Sequence, residues 1–490
     1  MRGAVRRKGP RRAWGPWLVA ASLCLLVSAP AVADGPALSD ALRVHRPAGG
    51  EWFGVYLVDK KVGWLFTDLT LAPGSPRHAR SVQELVFKAM VGQALAERHH
   101  REERIYEARP GGRLLSFVIE DRGDGGNQTL TGKRTTRGME VLRRRPGHAD
   151  EKLTLPASEE TVEDADQVRV ALLRRQPVSG KVLDGSDLQA YQVTTSPGGT
   201  ENRTLHGVPV TLRRATTTSE KDKVPALTTV ASDGAILETS FGGTTALRAE
   251  AKGVAQRLDR VEIFGLTRLV LPKPLPPSAR QVPGELTLVV SGLSPEYRRA
   301  TPRQTYRPLD GDRVEVKIRA TPPDPSQLKT RPLKAPDGAE YLKSNLSVES
   351  EAPEIVAKAR EIAGSETDAY TASKKVVAWV GSHMKKDYGF NADRATDVLR
   401  QMRGDCTEHA LLAVALLRAL GIPARRVDGV AALYWHEWVE AWVGSTWTQL
   451  DPTFGQPVAD ATHLTLGEES QADIIPLLGT LRIVEVSGGG

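Results

Sequence analysis

RGDCTEHALLAVALLRALGIPARRVDGVAALYWHEWVEAWVGSTWTQLDPTF, residues 403–454, decides the fold. Asp405 is a favourable N-cap and Glu408 follows three residues later, so a helix is expected to start at Cys406 behind a capping box. Gly421, with Pro423 two residues on, supplies a left-handed stop. Between them Ala410–Leu417 is apolar on every side, which places the helix inside a core. Its first residue is a cysteine. A helix start carries partial positive charge that favours a thiolate, and its unpaired amides are candidate donors to an oxyanion.

Downstream, ARRVDGVAAL suits a strand, and WHEWVEAWV alternates with period two, placing His436, Trp438, Glu440 and Trp442 on one face. A third strand, TWTQL, delivers Asp451 directly before Pro452, which ends strand pairing. A thiol on a helix tip, with an imidazole and a carboxylate on neighbouring strands, is the arrangement of a Cys-His-Asp site.

Four motifs in this order resemble the transglutaminase-like superfamily of papain-like thiol enzymes. They are the G-x-C opening a helix at Gly404–Cys406, the run ALLRALGIPAR, the segment from His436 to Glu440, and the segment from Trp447 to Thr453. The resemblance covers the chain from about Glu351 onward. It implies an α+β fold with the nucleophile helix packed on an antiparallel sheet. It further implies acyl transfer through a thioester, with Cys406 as nucleophile, His436 as general base and acid, and Asp451 orienting the imidazole. No metal and no cofactor is implied.

Other residues have plainer readings. His409 is one helical turn from Cys406 and is a weaker candidate for the base, because the resemblance puts the base on the strand. Glu440 reads as a structural partner and Trp435, Trp438, Trp442 and Trp447 as core residues, one or two of which could line a cleft. Arg403-Gly404-Asp405 spells an adhesion tripeptide, yet capping explains it better. HEWVE lacks the second histidine of a zinc helix. His463 shows no partner in the sequence and defaults to a surface or core residue.

The chain has 490 residues, enough for two or three domains. Arg2, Arg6, Arg7, Lys8, Arg11 and Arg12, the apolar run Trp17–Val27 and the small-x-small site at Ala31–Ala33 read as a signal peptide, residues 1–33. The apolar run is short for a membrane span. Removing the peptide takes six basic residues and no acidic one, so the formal charge falls from +7 to +1. Nucleic-acid binding loses its support. Cys24 leaves as well, so Cys406 becomes the only thiol of the processed chain and no internal disulfide can form.

Residues 34–270 read as a β-rich domain, with hairpins expected across Asp59-Lys60-Lys61 and Pro110-Gly111-Gly112 and a helix at Glu163–Arg175. A large antiparallel sheet or open barrel-like wrap is expected. Residues 271–285 read as a proline-rich linker, 286–345 as a small β-rich unit, and 346–490 as the thiol-enzyme domain.

The leading expectation is an exported enzyme, periplasmic or secreted, acting on an amide bond in a peptide or protein, a cell-envelope component among the candidates. Hydrolysis is favoured over transamidation because water needs no second binding site. It is not expected to remain in the membrane after signal cleavage. The alternative from another class is a non-catalytic envelope binding or scaffold protein that keeps the fold. A third is a lipid carrier built on the N-terminal sheet.

Overall fold

The computed structural model describes residues 37–490 except 93, 124–125, 206, 243, 335–338, 469–470 and 489–490. The expected signal peptide and Cys24 lie outside the described residues. The fold class is α+β. Among the described residues no helix is long and apolar enough to cross a membrane.

From Glu51 to Ala249 the chain forms one antiparallel sheet of fourteen strands. Each strand pairs with its sequence neighbour, and the two runs meet where Glu51–Leu57 lies beside Thr245–Ala249. Its edges are Glu151–Leu155 and Val178–Leu183. The helix Gln167–Arg174, capped by Asp166, packs over the strands beside the second edge. The first hairpin turns at Val58 and Asp59, both at positive φ (48° and 57°), as a two-residue turn of matching twist requires. Lys60 and Lys61, expected in the turn, already belong to the next strand.

Two cavities of about 260 and 370 Å³ lie against this sheet. Their walls carry buried ion pairs, Arg169 with Glu51 and Arg104 with Glu160, a poor match for an acyl chain.

A second sheet orders Gln304–Pro308, Val314–Ala320, Gly284–Ser291 and Arg482–Gly488, so the last strand of the chain returns to pair with residues near 288. Alternation buries Leu286, Leu288 and Val290 on one strand and Val314, Val316 and Ile318 on the next. These share a core with Leu464, Leu466 and Ile483.

The C-terminal elements that position the candidate site are numbered separately. Helices α1 (Pro353–Ala363), α2 (Ala369–His383) and α3 (Ala395–Gln401) surround α4 (Cys406–Ala419). Every residue of α4 from Glu408 to Arg418 is buried, as its uniformly apolar run dictates. It packs against a four-stranded antiparallel sheet of β1 (Ala424–Ala431), β2 (Tyr434–Trp442), β3 (Trp447–Leu450) and β4 (His463–Glu468), in the spatial order β3-β2-β1-β4. Residues His436 to Ala441 are buried on both faces of β2, because α4 covers one side and the chain after β3 crosses the other.

Candidate active site

Cys406 opens α4 behind the capping box expected from the sequence. Asp405 Oδ1 accepts from the Thr407 N–H at 2.9 Å, and Glu408 Oε2 accepts from the Asp405 N–H at 2.9 Å. Gly404 stands at φ 152°, and a Cβ there would run into the Glu408 side chain. The G-x-C spacing therefore follows from the cap: the Glu408 carboxyl folds back over position 404, where only glycine fits. A short parallel pairing of Arg403–Gly404 with Lys385–Lys386 fixes this turn from the other side.

His436 comes from β2 and Asp451 from the end of β3. His436 Nε2 and Asp451 Oδ2 are 2.7 Å apart, with both side chains buried. Asp451 Oδ1 accepts from the Thr453 and Phe454 N–H groups at 2.7 and 3.0 Å, so the DPT turn holds the carboxylate in place. A carboxylate can only accept, hence Nε2 of His436 carries the hydrogen and Nδ1 of a neutral ring is the basic nitrogen. The ring is stacked on Phe454, with centroids 4.7 Å apart and planes 10° apart. The Glu437 backbone N–H, next in sequence to His436, bonds the Cys406 thiol and favours its anion. This puts the sulfur beside the strand that carries the imidazole.

The electrostatics differ from the sequence expectation. Burial, Asp405 and Glu437 push the Cys406 thiol well above its ordinary value, with Glu408 adding to them. The residue that caps the helix is an acid one position from the thiol, and it offsets the positive helix start. Burial and Asp428 push the Glu437 carboxyl up as well, and burial and Asp405 do the same for Glu408.

His409, the rejected base, is fully buried and its Nδ1 meets the Asp405 carbonyl oxygen at 2.6 Å. It is a structural residue locked to the turn before it. Glu440 is buried between Arg425 at 2.8 Å and Arg299 at 3.0 Å, a structural role as expected. Trp438 is fully buried and donates to Gln449 at 3.2 Å, whereas Trp435, Trp442 and Trp447 are half-buried.

Two residues escaped the sequence reading. Phe454 stacks on the imidazole, and its position three residues after Asp451 was the available signal. His463 is fully buried, and its Nε2 lies 3.0 Å from the same Asp451 oxygen that His436 uses. Burial works against a charged Asp451, but the hydrogen bonds of His436 and His463 prevail and hold its carboxyl well below the usual range. Among the described residues, His436, Asp451 and His463 are the group whose ligand atoms lie within 4.8 Å of one another. Asp451 accepts four hydrogen bonds here, two from these rings and two from the Thr453 and Phe454 N–H groups.

Residues 356–452 match the family model of the transglutaminase-like superfamily. This part of the chain is transglutaminase-like. The match contains Cys406, His436 and Asp451 and stops before His463. An uncharacterized protein of Mycobacterium leprae (strain TN) is 31% identical over 96 residues, which are 17% of this chain and 34% of that protein. The chain thus spans about a third of the length of this curated relative. Among solved structures, a candidate cysteine protease from Cytophaga hutchinsonii aligns at 20% identity and a TM-score of 0.29, covering 43% of this chain and 84% of that one. A β-barrel-like protein of a domain of unknown function from Brucella abortus aligns at 9% identity and a TM-score of 0.30, covering 41% of this chain and 98% of that one. The transglutaminase-like region supplies the thiol and the hydrogen-bonded imidazole–carboxylate pair described above.

Proposed function

We propose that the protein is an exported, cysteine-dependent acyl-transfer enzyme that opens amide bonds through a thioester on Cys406. The observation that carries this reading is the buried hydrogen bond from His436 Nε2 to Asp451, which leaves Nδ1 as a base on the strand beside the thiol. In the first half-reaction His436 Nδ1 takes the thiol proton as Sγ attacks the amide carbon. The tetrahedral oxyanion collapses, the C–N bond breaks, and His436 gives the proton to the departing amine. In the second half-reaction water adds to the thioester, His436 removes its proton, and the carboxylic acid leaves as the thiol is restored. His436 thus acts as the general base that takes the thiol proton and as the general acid that returns it to the leaving amine.

The capping box limits the oxyanion donors. The side chains of Asp405 and Glu408 occupy the amides of Asp405, Thr407 and Glu408, so the donor nearest the sulfur on the helix start is the Cys406 N–H itself. Tyr388, Tyr434 and Phe454 are 44%, 45% and 49% exposed, and Phe264 packs edge-on against both tyrosines. Tyr434 is two residues before His436 and Phe454 three after Asp451. This aromatic rim supports a peptide or protein substrate with an apolar side chain near the reacting amide.

Export rests on the signal-like segment 1–33, with periplasm or medium as the destination. The division into a β-rich domain 34–270, a linker 271–285, a small β unit 286–345 and a catalytic domain 346–490 is part of the same proposal. The test is amine release from a mixture of peptide amides by wild type and Cys406→Ala. Release that disappears in the variant while its melting temperature is unchanged supports the enzyme. Equal behaviour of the two proteins favours a scaffold.

A further inference from the structure

His463 lies on the far side of Asp451 from His436, and every polar atom facing its ring is an acceptor. Nε2 meets Asp451 Oδ2 at 3.0 Å. Nδ1 meets Asp460 Oδ1 at 3.1 Å and the Asp460 carbonyl oxygen at 3.2 Å. Asp460 is itself an acceptor for the Thr462 N–H and hydroxyl at 2.9 and 2.5 Å and for Gln456 Nε2 at 3.0 Å, and so is ionised. A neutral imidazole has one N–H and would place a lone pair against one of these oxygens. Only the doubly protonated ring satisfies all of them.

We propose that His463 is held as an imidazolium and acts as a positioning residue: it fixes Asp451 behind His436 and disfavours a second positive charge on that carboxylate. The proposal rests on Cys406 and His436 being the reacting pair. Two imidazole rings share one oxygen of Asp451, with centroids 5.9 Å apart. With one ring already positive, charging the second puts like charges on a single buried carboxylate.

The titratable and charged groups facing His463 are Asp451 at the end of β3, Asp460 in the connection to β4, His436 on β2, and Arg303 from the second sheet. Burial and Arg303 oppose its charge, and the two carboxylates outweigh them, so its protonation persists above the ordinary histidine range. Arg303 does not replace His463, because its guanidinium donates to the carbonyl oxygens of Ala459 and Asp460 and not to Asp451. Trp438 and Phe454 stand edge-on to the His463 ring, with centroids 5.0 and 6.1 Å away, and His463 is fully buried.

The test is nitrogen NMR of the full chain labelled in its histidines, with His463 assigned by comparison with His463→Gln and, should that variant not fold, with Asp460→Asn. The expected result is two protonated ring nitrogens on His463 at neutral pH, and loss of one proton at lower pH in Asp460→Asn than in the wild type. A His463 that titrates near the ordinary value of about 6.5, or holds one proton at neutral pH, overturns the proposal. Alkylation of Cys406, followed on its own peptide in the same samples, reads the coupling. In His463→Gln its midpoint should move down by about one pH unit. An unchanged midpoint in a folded variant overturns the positioning role. If His463 is doubly protonated while Cys406 is inert in every form, the proton assignment stands and the acyl-transfer reading fails.

Discussion

Phe454 lies flat on the imidazole of His436, 4.7 Å between centroids. The phenyl ring is 49% exposed, so it contributes little to the core and much to the orientation of the base. Lys386 caps its outer face at 5.6 Å. Phe454→Ala should therefore leave thermal unfolding almost unchanged. Loss of an aromatic pair worth about 0.5–1.5 kcal/mol should slow His436-assisted alkylation of Cys406 roughly two- to tenfold. Measured alkylation rates at pH 7.5 check this.

Gly404→Ala tests the reason for the G-x-C spacing. The added methyl meets Glu408, and the backbone at φ 152° disfavours any side chain. The expected outcome is loss of the cap, with about 1–3 kcal/mol of stability and most of the activity lost together. Urea unfolding and amine release, measured on the same variant, show whether they fall together.

The Asp451–His463–Asp460 group predicts a pH window. Asp451 and Asp460 are held low, so their contribution to stability is present above the unfolded carboxylate value of about 3.9 and is lost as pH falls through their folded values. His463 is raised, so its contribution is complete below about 6.5 and is lost as pH rises through its folded value. All three act fully between about pH 4 and 6.5. The stability gap between wild type and His463→Gln should be largest there, of order 3–5 kcal/mol, and should narrow on either side. Urea unfolding at a series of pH values measures the gap; one that is flat with pH contradicts this electrostatic account.

Arg303 reaches from the second sheet to the Ala459 carbonyl oxygen at 2.6 Å and to that of Asp460. Burial lowers its own pKa to about 10, yet it remains charged at neutral pH and pins the connection that carries Asp460 and His463. Arg303→Met should cost about 1.5–3 kcal/mol by chemical unfolding. It should also loosen His463, seen as faster exchange of its ring protons.

The local signals of α4 were strong enough to read directly. Asp405, Glu408 and Gly421 set both ends of the helix, and period-two alternation placed His436 on a strand. What the residues could not display was proximity. His463 follows Asp451 by twelve positions, and only the return of the chain from β3 to β4 brings both rings to one carboxylate. Likewise Glu437 and Asp428 face each other across β2 and β1, a register that depends on the turn between them. Burial, with the acidity of Asp405 and Glu437, is why the thiol is raised where a helix start alone would lower it. In the N-terminal half the hairpins were legible, but not the length of Ser75–Val91, whose polar residues interrupt the alternation. Nor could the last strand, Arg482–Gly488, be assigned to the sheet near residue 288, since pairing over such a separation leaves no local mark.

The most direct test of the central claim is intact-mass detection of an acyl group on Cys406 after rapid mixing with an activated ester, comparing wild type with His436→Ala. The account predicts a single acyl adduct on the Cys406 peptide of the wild type, formed at least tenfold more slowly in the variant, as loss of general-base assistance implies. Equal rates of adduct formation, or an adduct at another residue, would contradict it.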